Sequence, residues 1–504
     1  MTIHDILEQA RSRWPGKLAV VDGRRRWSYA SLLERVAGLA ARLAERGIGR
    51  QDRVAVLDVN SADFLAMYFA AARLGAVLVP LNHRLTDGEI TEILYDAGVS
   101  GLVAGPPLVA RADGIARAGP PFGLVIRLDP DAAGGVADAP EPAAVSVDDL
   151  AHLYYTSGTT GRSKGVMLTH RNVCEHAVAA ADELTLNEDD IWAHVAPMFH
   201  LADAWATFAI TWVGGRHVFA PRFEPLEVLS LLARERVSVT NLIPSMLNQL
   251  VKHPGVLDYD LSSFRLVMSG GAPIAPELVR RVIEVFGGEY VQTYGMTETS
   301  PYLTLSRLDE SLRQRPPDEQ LRLRARTGRP FKTIELEIVD DRNEPVPHDD
   351  TTVGEIRVRG KTVSPGYWRR PEETAEAFRD GWLYTGDLAV VNAEGFVNIV
   401  DRKKDTIITG GENVYSTEVE HVLYEHPAVL ECAVIGVPDE SWGEAVHAAV
   451  VLRPDAEASA AELIAFCKQH LAGFKVPKQV TFLDVLPKTG TGKIHKPTLR
   501  ETFS

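Results

Sequence analysis

Residues 154–165 read YYTSGTTGRSKG and follow an apolar run. Glycines in such a loop let backbone N–H groups converge on an anion, hydroxyls add donors, and Lys164 adds a compact positive charge. The composition is that of a phosphate cradle. It departs from the Walker A pattern, because Ser163 stands where G-x-x-x-x-G-K-[ST] requires a second glycine.

Outward from this loop, strand-like and helix-like runs alternate, which predicts α/β layers. Residues 266–268 form a short apolar strand, residues 269–271 a turn, and Pro276 opens a helix with Leu278, Val282, Val285 and Phe286 at helical spacing. Gly287 stops that helix and residues 291–294 begin the next strand. Residues 64–81 are nearly apolar, but Arg73 and Gly75 divide them, so a buried helix running into a strand is expected in place of a membrane span. Residues 105–142, rich in Ala, Gly and Pro, predict a weakly ordered surface excursion.

The charged run Asp401, Arg402, Lys403, Lys404, Asp405 separates two apolar stretches and predicts a boundary. The expected organisation is α/β: a large N-terminal domain of layered α/β subdomains over residues 1–400, a hinge at 401–405 and a small mobile α+β C-terminal domain over 406–504. Within the small domain a Thr417/Glu420 capping box should open a helix, and residues 429–437 read as a strand. Ser459 and Glu462 cap another helix, whose Leu463, Ile464, Cys467 and Leu471 lie at helical spacing.

A chain of 504 residues exceeds what one hydrophobic core supports, so several domains are expected. The net charge of −15 disfavours nucleic-acid binding, which needs a broad basic surface. Anionic ligands must instead meet local cationic pockets. Cys174, Cys432 and Cys467 are widely spaced and odd in number, which suggests reduced thiols in a cytoplasmic setting, without a disulfide frame or metal cluster. The opening residues lack a basic stretch followed by an apolar run, so no secretory signal is expected.

Six stretches in order carry a resemblance: YTSGTTGRSKG at 155–165, SGGAPI at 269–274, QTYGMTE at 292–298, YTGD at 384–387, DRKKD at 401–405 and PKTGTGKIHK at 487–496. Over nearly its whole length the chain resembles the adenylate-forming superfamily of acyl-CoA synthetases, luciferases and peptide-synthetase adenylation domains. The resemblance implies that Thr156, Ser157, Gly158, Thr159, Thr160 and Gly161 wrap the β- and γ-phosphates of ATP, with Lys164 steadying pyrophosphate as it leaves. Glu298 resembles the family's Mg²⁺ ligand, Thr156 the hydroxyl that completes the coordination, and Thr297 stands beside them.

Gly271, Ala272 and Pro273, facing Gln292, Thr293, Tyr294 and Gly295, resemble the walls of an adenine slot. Asp387 and Arg402 resemble the ribose-binding pair. Lys493, on a Gly- and Thr-rich loop, is the expected catalytic lysine, because attack of a carboxylate on an α-phosphate brings two negative groups together. Lys404 falls at the family's hinge, where one orientation of the small domain brings Lys493 to the phosphate and another opens a thiol tunnel past Gly410 and Gly411. Some relatives carry a lysine where this chain has Ile408. His200 matches the residue beside the carboxylate tunnel, and Trp205 a gate tryptophan displaced by one residue.

The implied activity is ATP-dependent carboxylic acid–CoA ligation through an acyl-AMP, with ATP, Mg²⁺ and coenzyme A required. Met198, Phe199, Trp205, Phe208 and Trp212 favour an apolar acid, with short or medium chains first and an aryl acid or methylmercaptopropionate as alternatives. A stand-alone adenylating enzyme that loads a carrier protein, a luciferase-like oxygenase and a non-catalytic nucleotide sensor are the remaining readings. Relatives are commonly homodimers, and stable membrane insertion is not expected.

Overall fold

The computed structural model describes residues 1–119, 125–129, 140–156, 163–488 and 494–503. The chain forms two compact units, Met1–Leu336 with Val358–Leu383, and Glu337–Arg357 with Tyr384–Ser504.

The first unit contains two large sheets. In a nine-stranded sheet, Glu289–Gly295, Leu266–Ser269, Val239–Asn241, Ile191–His194, Arg216–Phe219 and Leu18–Asp22 run parallel in that spatial order. Antiparallel strands close it at both edges. Such strands are buried on both faces and read as continuous apolar runs. Val228, Leu232, Leu247, Val279, Val282 and Phe286 cover one of its faces.

The six-stranded sheet has the order Val125–Arg127, Gly101–Ala104, Arg53–Leu57, Val77–Pro80, Leu150–Thr156, Lys164–Thr169. All its pairings are parallel except the last, a hairpin. The phosphate-cradle sequence joins the two strands of that hairpin.

The apolar stretch at 64–81 is the buried helix Ala62–Leu74, closed by Gly75 at φ 66°, followed by strand Val77–Pro80. Among the described residues no helix is long and apolar enough to cross a membrane. Of the expected excursion at 105–142, residues 120–124 and 130–139 lie outside the described residues, and the described part holds regular elements. It contains helix Val109–Ala118, with Ala112 and Ile115 buried, and the edge strand Val125–Arg127. Val109, Ala112 and Ile115 at helical spacing against the sheet outweigh the Gly and Pro content.

In the second unit, the antiparallel strands Val429–Asp439 and Gly443–Leu452 pair over nearly their full length, and Gln479–Phe482 joins in parallel. Helices Ser416–Glu425 and Ala460–His470 pack Val419, Leu423, Leu463 and Cys467 onto this sheet. The Ser459/Glu462 capping pair forms as expected. The Thr417/Glu420 box does not: helix Ser416–Glu425 starts two residues earlier, with Tyr415 at its N-cap, Thr417 Oγ1 donates to the Val400 carbonyl, and Glu420 accepts from Val434 N–H and pairs with Lys496. Long-range partners displaced the local cap. All three cysteines are free and buried.

Candidate active site

Thr156 and Lys164 stand opposite each other at the mouth of the hairpin. Ser157, Gly158, Thr159, Thr160 and Gly161 lie outside the described residues. The hairpin is anchored from behind. Tyr155 donates to Asp96 at 2.7 Å, and the hydroxyls of Tyr154 and Tyr68 meet at 2.8 Å.

A short segment lies along the second hairpin strand. Trp368 N–H donates to the Gly165 carbonyl at 2.8 Å, Met167 N–H to the Gly366 carbonyl at 3.1 Å, and Tyr367 bridges to Val166. The same segment reaches Glu298. Ser364 N–H donates to the Glu298 carbonyl at 2.7 Å, and the Tyr367 hydroxyl donates to Glu298 Oε1 at 2.9 Å. The Lys164 ammonium sits 5.3 Å from the centre of the Tyr367 ring, within cation–π range. Glu298, in the turn Thr297–Thr299 after strand Glu289–Gly295, is buried yet its carboxylate is held by hydrogen bonding. Lys164 and Glu298 are thus gathered around one tyrosine, which the sequence did not single out.

Strand and turn interlock at the expected adenine slot. Gln292 Nε2 donates to the Ala272 carbonyl at 2.9 Å, while Tyr290 donates to its Oε1 at 2.5 Å. Thr293 Oγ1 donates to the Ser269 carbonyl at 3.1 Å, so a Cβ on Gly270 would fall 2.3 Å from that hydroxyl. Gly271 turns the chain at φ 81°, leaving Ala272 and Pro273 exposed. Tyr294 and Thr297 are half-buried and Gly295 is exposed. Gln292 therefore serves as a brace between the walls, its amide committed to protein partners.

His200 stands at the N-terminus of helix Leu201–Val213, its ring 4.6 Å from that of Phe199. The preceding loop is fixed by buried Asn60, which donates to the His194 and Ala196 carbonyls at 3.0 and 2.9 Å and accepts from Met198 N–H at 2.8 Å. Tyr68 adds a bond to the Met198 carbonyl at 2.8 Å. Trp205 is only 1% exposed; its indole N–H donates to the Ala202 carbonyl and its ring packs on Trp192, His176 and Tyr302. Deeper lies a chain of polar groups absent from the sequence reading: Asp203 contacts His194 at 2.5 Å, His194 contacts His217 at 3.0 Å, and His217 contacts Thr211 at 3.1 Å. Burial raises the Asp203 carboxyl and pushes His217 well below its ordinary value.

In the second unit Asp387 and Arg402 are register partners on adjacent strands and form an ion pair at 2.6 Å. Lys404 lies in the turn Lys403–Asp405. Arg500 pairs with Asp405 at 2.8 Å, tying helix Lys496–Phe503 to that turn, and Lys496 pairs with Glu420 at 2.7 Å, tying it to helix Ser416–Glu425. Lys493 lies outside the described residues; Lys488 and Ile494, on either side, form an antiparallel bridge. Gly410 and Gly411 occupy left-handed backbone at φ 59° and 86°. Gly410 N–H donates to the Trp442 carbonyl, and a Cβ there would meet the indole at 2.8 Å. Trp442 is half-exposed, with the Lys478 ammonium 5.4 Å from its ring centre. Ile408 is exposed beside them.

Among the described residues, no group of three or more His, Cys, Asp and Glu side chains is placed to hold a metal. Among the described residues, the oxygen donors that the family resemblance singles out are the buried carboxylate of Glu298 and the hydroxyl of Thr156. This set fits Mg²⁺, which takes few protein ligands and completes its shell with water and substrate phosphates.

Residues 7–368 match the AMP-binding enzyme family, and residues 418–493 match the AMP-binding enzyme C-terminal domain. The chain is 40% identical to a feruloyl-CoA synthase from Amycolatopsis over 97% of its own length and 96% of the relative. It is 35% identical to the 2-succinylbenzoate–CoA ligase of Geobacillus kaustophilus, over 99% of this chain and 98% of that one. Among solved structures, ATP-bound MatB from Rhodopseudomonas palustris superposes with a TM-score of 0.88 at 33% identity, covering 100% and 99% of the two chains.

Proposed function

The chain belongs to the AMP-binding enzyme family, and from that premise we propose how its residues carry out AMP-forming acid–CoA ligation. A carboxylate oxygen of the acid attacks the α-phosphorus of ATP, pyrophosphate leaves, and the thiol of coenzyme A displaces AMP from the acyl carbon. The thiol proton passes to solvent. The observation that carries this reading is that one side chain, Tyr367, touches both Glu298 and Lys164, the strand partner of Thr156 at the end of the hairpin.

Lys164 compensates charge on the departing pyrophosphate. Glu298 and Thr156 would hold Mg²⁺, which when bound would neutralise charge on the phosphates. Gly271, Ala272, Pro273 and Tyr294 take the adenine, with Gln292 and Thr293 bracing them, and Asp387 accepts from the ribose hydroxyls. Lys493 acts on the α-phosphate during adenylation, and residues 401–405 are the hinge that then withdraws it. The exposed Trp442 face beside Gly410 and Gly411, with Lys478 over it, supplies a stacking surface and a cation suited to the nucleotide end of coenzyme A. Three buried thiols fit a reducing, cytoplasmic setting.

His200 faces the carboxyl end of the acid, and the aromatic wall behind it, Trp205 included, calls for an apolar acyl group. The 40% identity to a feruloyl-CoA synthase favours an aryl-propenoic acid over the straight short or medium chain expected from the sequence. The test is acyl-CoA formation across ferulate, cinnamate, benzoate, butyrate, octanoate and methylmercaptopropionate, read by mass spectrometry. Ferulate and cinnamate should lead. Preference for octanoate or butyrate would restore the aliphatic reading, and acid-dependent pyrophosphate release without any acyl-CoA would point to a carrier thiol.

A further inference from the structure

The geometry points to Tyr367 as a positioning residue with two separable tasks: its hydroxyl orients the Glu298 carboxylate toward the metal, and its ring fixes the Lys164 ammonium at the pyrophosphate. The assignment rests on the proposed adenylation reading. Its physical basis is independent of that reading. The hydroxyl donates to Oε1 of Glu298 at 2.9 Å, directing one carboxylate oxygen, while the ring holds Lys164 at 5.3 Å from its centre. One side chain therefore touches both groups that must act on the same triphosphate.

The backbone around Tyr367 is overdetermined. Tyr367 N–H donates to Thr374 Oγ1 at 3.0 Å, and its strand bridge to Val166 is flanked by the bonds from Trp368 and Met167. Gly366 lies at φ 137°, and a Cβ there would come within 2.4 Å of Thr374. Only glycine lets the chain deliver the next residue at this angle. Ser364, three residues upstream of Tyr367, takes hold of the Glu298 backbone, so the segment fixes both ends of the acidic residue. Phe378 packs edge-on against the Tyr367 ring at 6.0 Å between centres, which supports the ring in a variant that lacks the hydroxyl.

Two variants separate the tasks. Tyr367→Phe keeps the ring and removes the hydroxyl; Tyr367→Leu removes both. Binding of Mn²⁺ in the presence of ATP is read by electron paramagnetic resonance, pyrophosphate affinity by product inhibition, and folding by melting temperature. Tyr367→Phe should weaken Mn²⁺ binding by about 10- to 150-fold, the range of one lost hydrogen bond to a charged group, with pyrophosphate affinity within 2-fold of the parent. Tyr367→Leu should weaken both. Wild-type binding of Mn²⁺ with ATP together with an unchanged Tyr367→Phe variant would overturn the assignment while leaving the adenylation reading intact. Equal losses of both affinities in Tyr367→Phe would also overturn it, because the tasks would not be separable. A wild-type protein that takes up no Mn²⁺ with ATP would remove the adenylation reading and this assignment with it.

Discussion

Two buried carboxylates, Glu298 in the first unit and Asp387 in the second, are held in opposite ways. Glu298 accepts from a neutral tyrosine hydroxyl, whereas Asp387 is paired to the guanidinium of Arg402. A neutral donor orients a carboxylate and leaves its negative charge in place for a cation. A guanidinium cancels much of that charge, and the carboxylate remains an acceptor for hydroxyl groups. The difference fits the proposed roles of Glu298 as a Mg²⁺ ligand and of Asp387 as an acceptor for ribose hydroxyls.

Charge-removing amides test that contrast. Glu298→Gln should lower acid-dependent pyrophosphate release by about 10²- to 10³-fold at saturating ATP, the range of a lost electrostatic stabiliser. Asp387→Asn keeps an acceptor oxygen and should raise the KM for ATP by about 10-fold with a small change in kcat. Equal kinetic losses in the two variants would erase the distinction drawn between the carboxylates.

Much of this was readable in the sequence, for reasons that differ by residue. The turn at 269–271 and the helix from Pro276 to Gly287 carry their own punctuation, and both appear as expected. Asp387 and Arg402 stand in recognisable short motifs and meet as strand partners. Tyr367 could not be placed in the same way. Its partner Glu298 is 69 residues away, and an aromatic residue after Pro-Gly reads as a turn. Weak signals did exist, since Gly366 and Tyr367 sit between Ser364 and Pro371 in a segment too polar for core. Asn60 was equally hidden, because an asparagine near a helix start reads as a cap while here it braces the loop before His200. The Thr417/Glu420 box shows the opposite failure, a local pattern overruled by Val400, Val434 and Lys496.

A smaller effect contrasts the buried histidines with the carboxylates. Burial drives His152 down to about 3, among the rings of Tyr68, Tyr154 and Phe208. The unfolded chain takes up this proton near pH 6.5 and the folded chain resists it, so His152 costs stability as pH falls from 6.5 toward 3. The slope is at most about 1.4 kcal/mol per pH unit. His152→Phe keeps the aromatic packing, and its stability relative to the parent should rise progressively on acidification below pH 6.5, as followed by urea unfolding at several pH values. A difference between the two proteins that stays constant from pH 7 to 4 would show that His152 is not buried neutral.

The most direct test of adenylation follows an oxygen atom. With acid labelled by ¹⁸O in its carboxylate, a complete reaction with ATP and coenzyme A should deliver one ¹⁸O atom into the phosphoryl group of AMP, with acyl-CoA formed in equal amount. Unlabelled AMP, or ADP with the label in orthophosphate, would contradict an acyl-adenylate and the account of the site built on it.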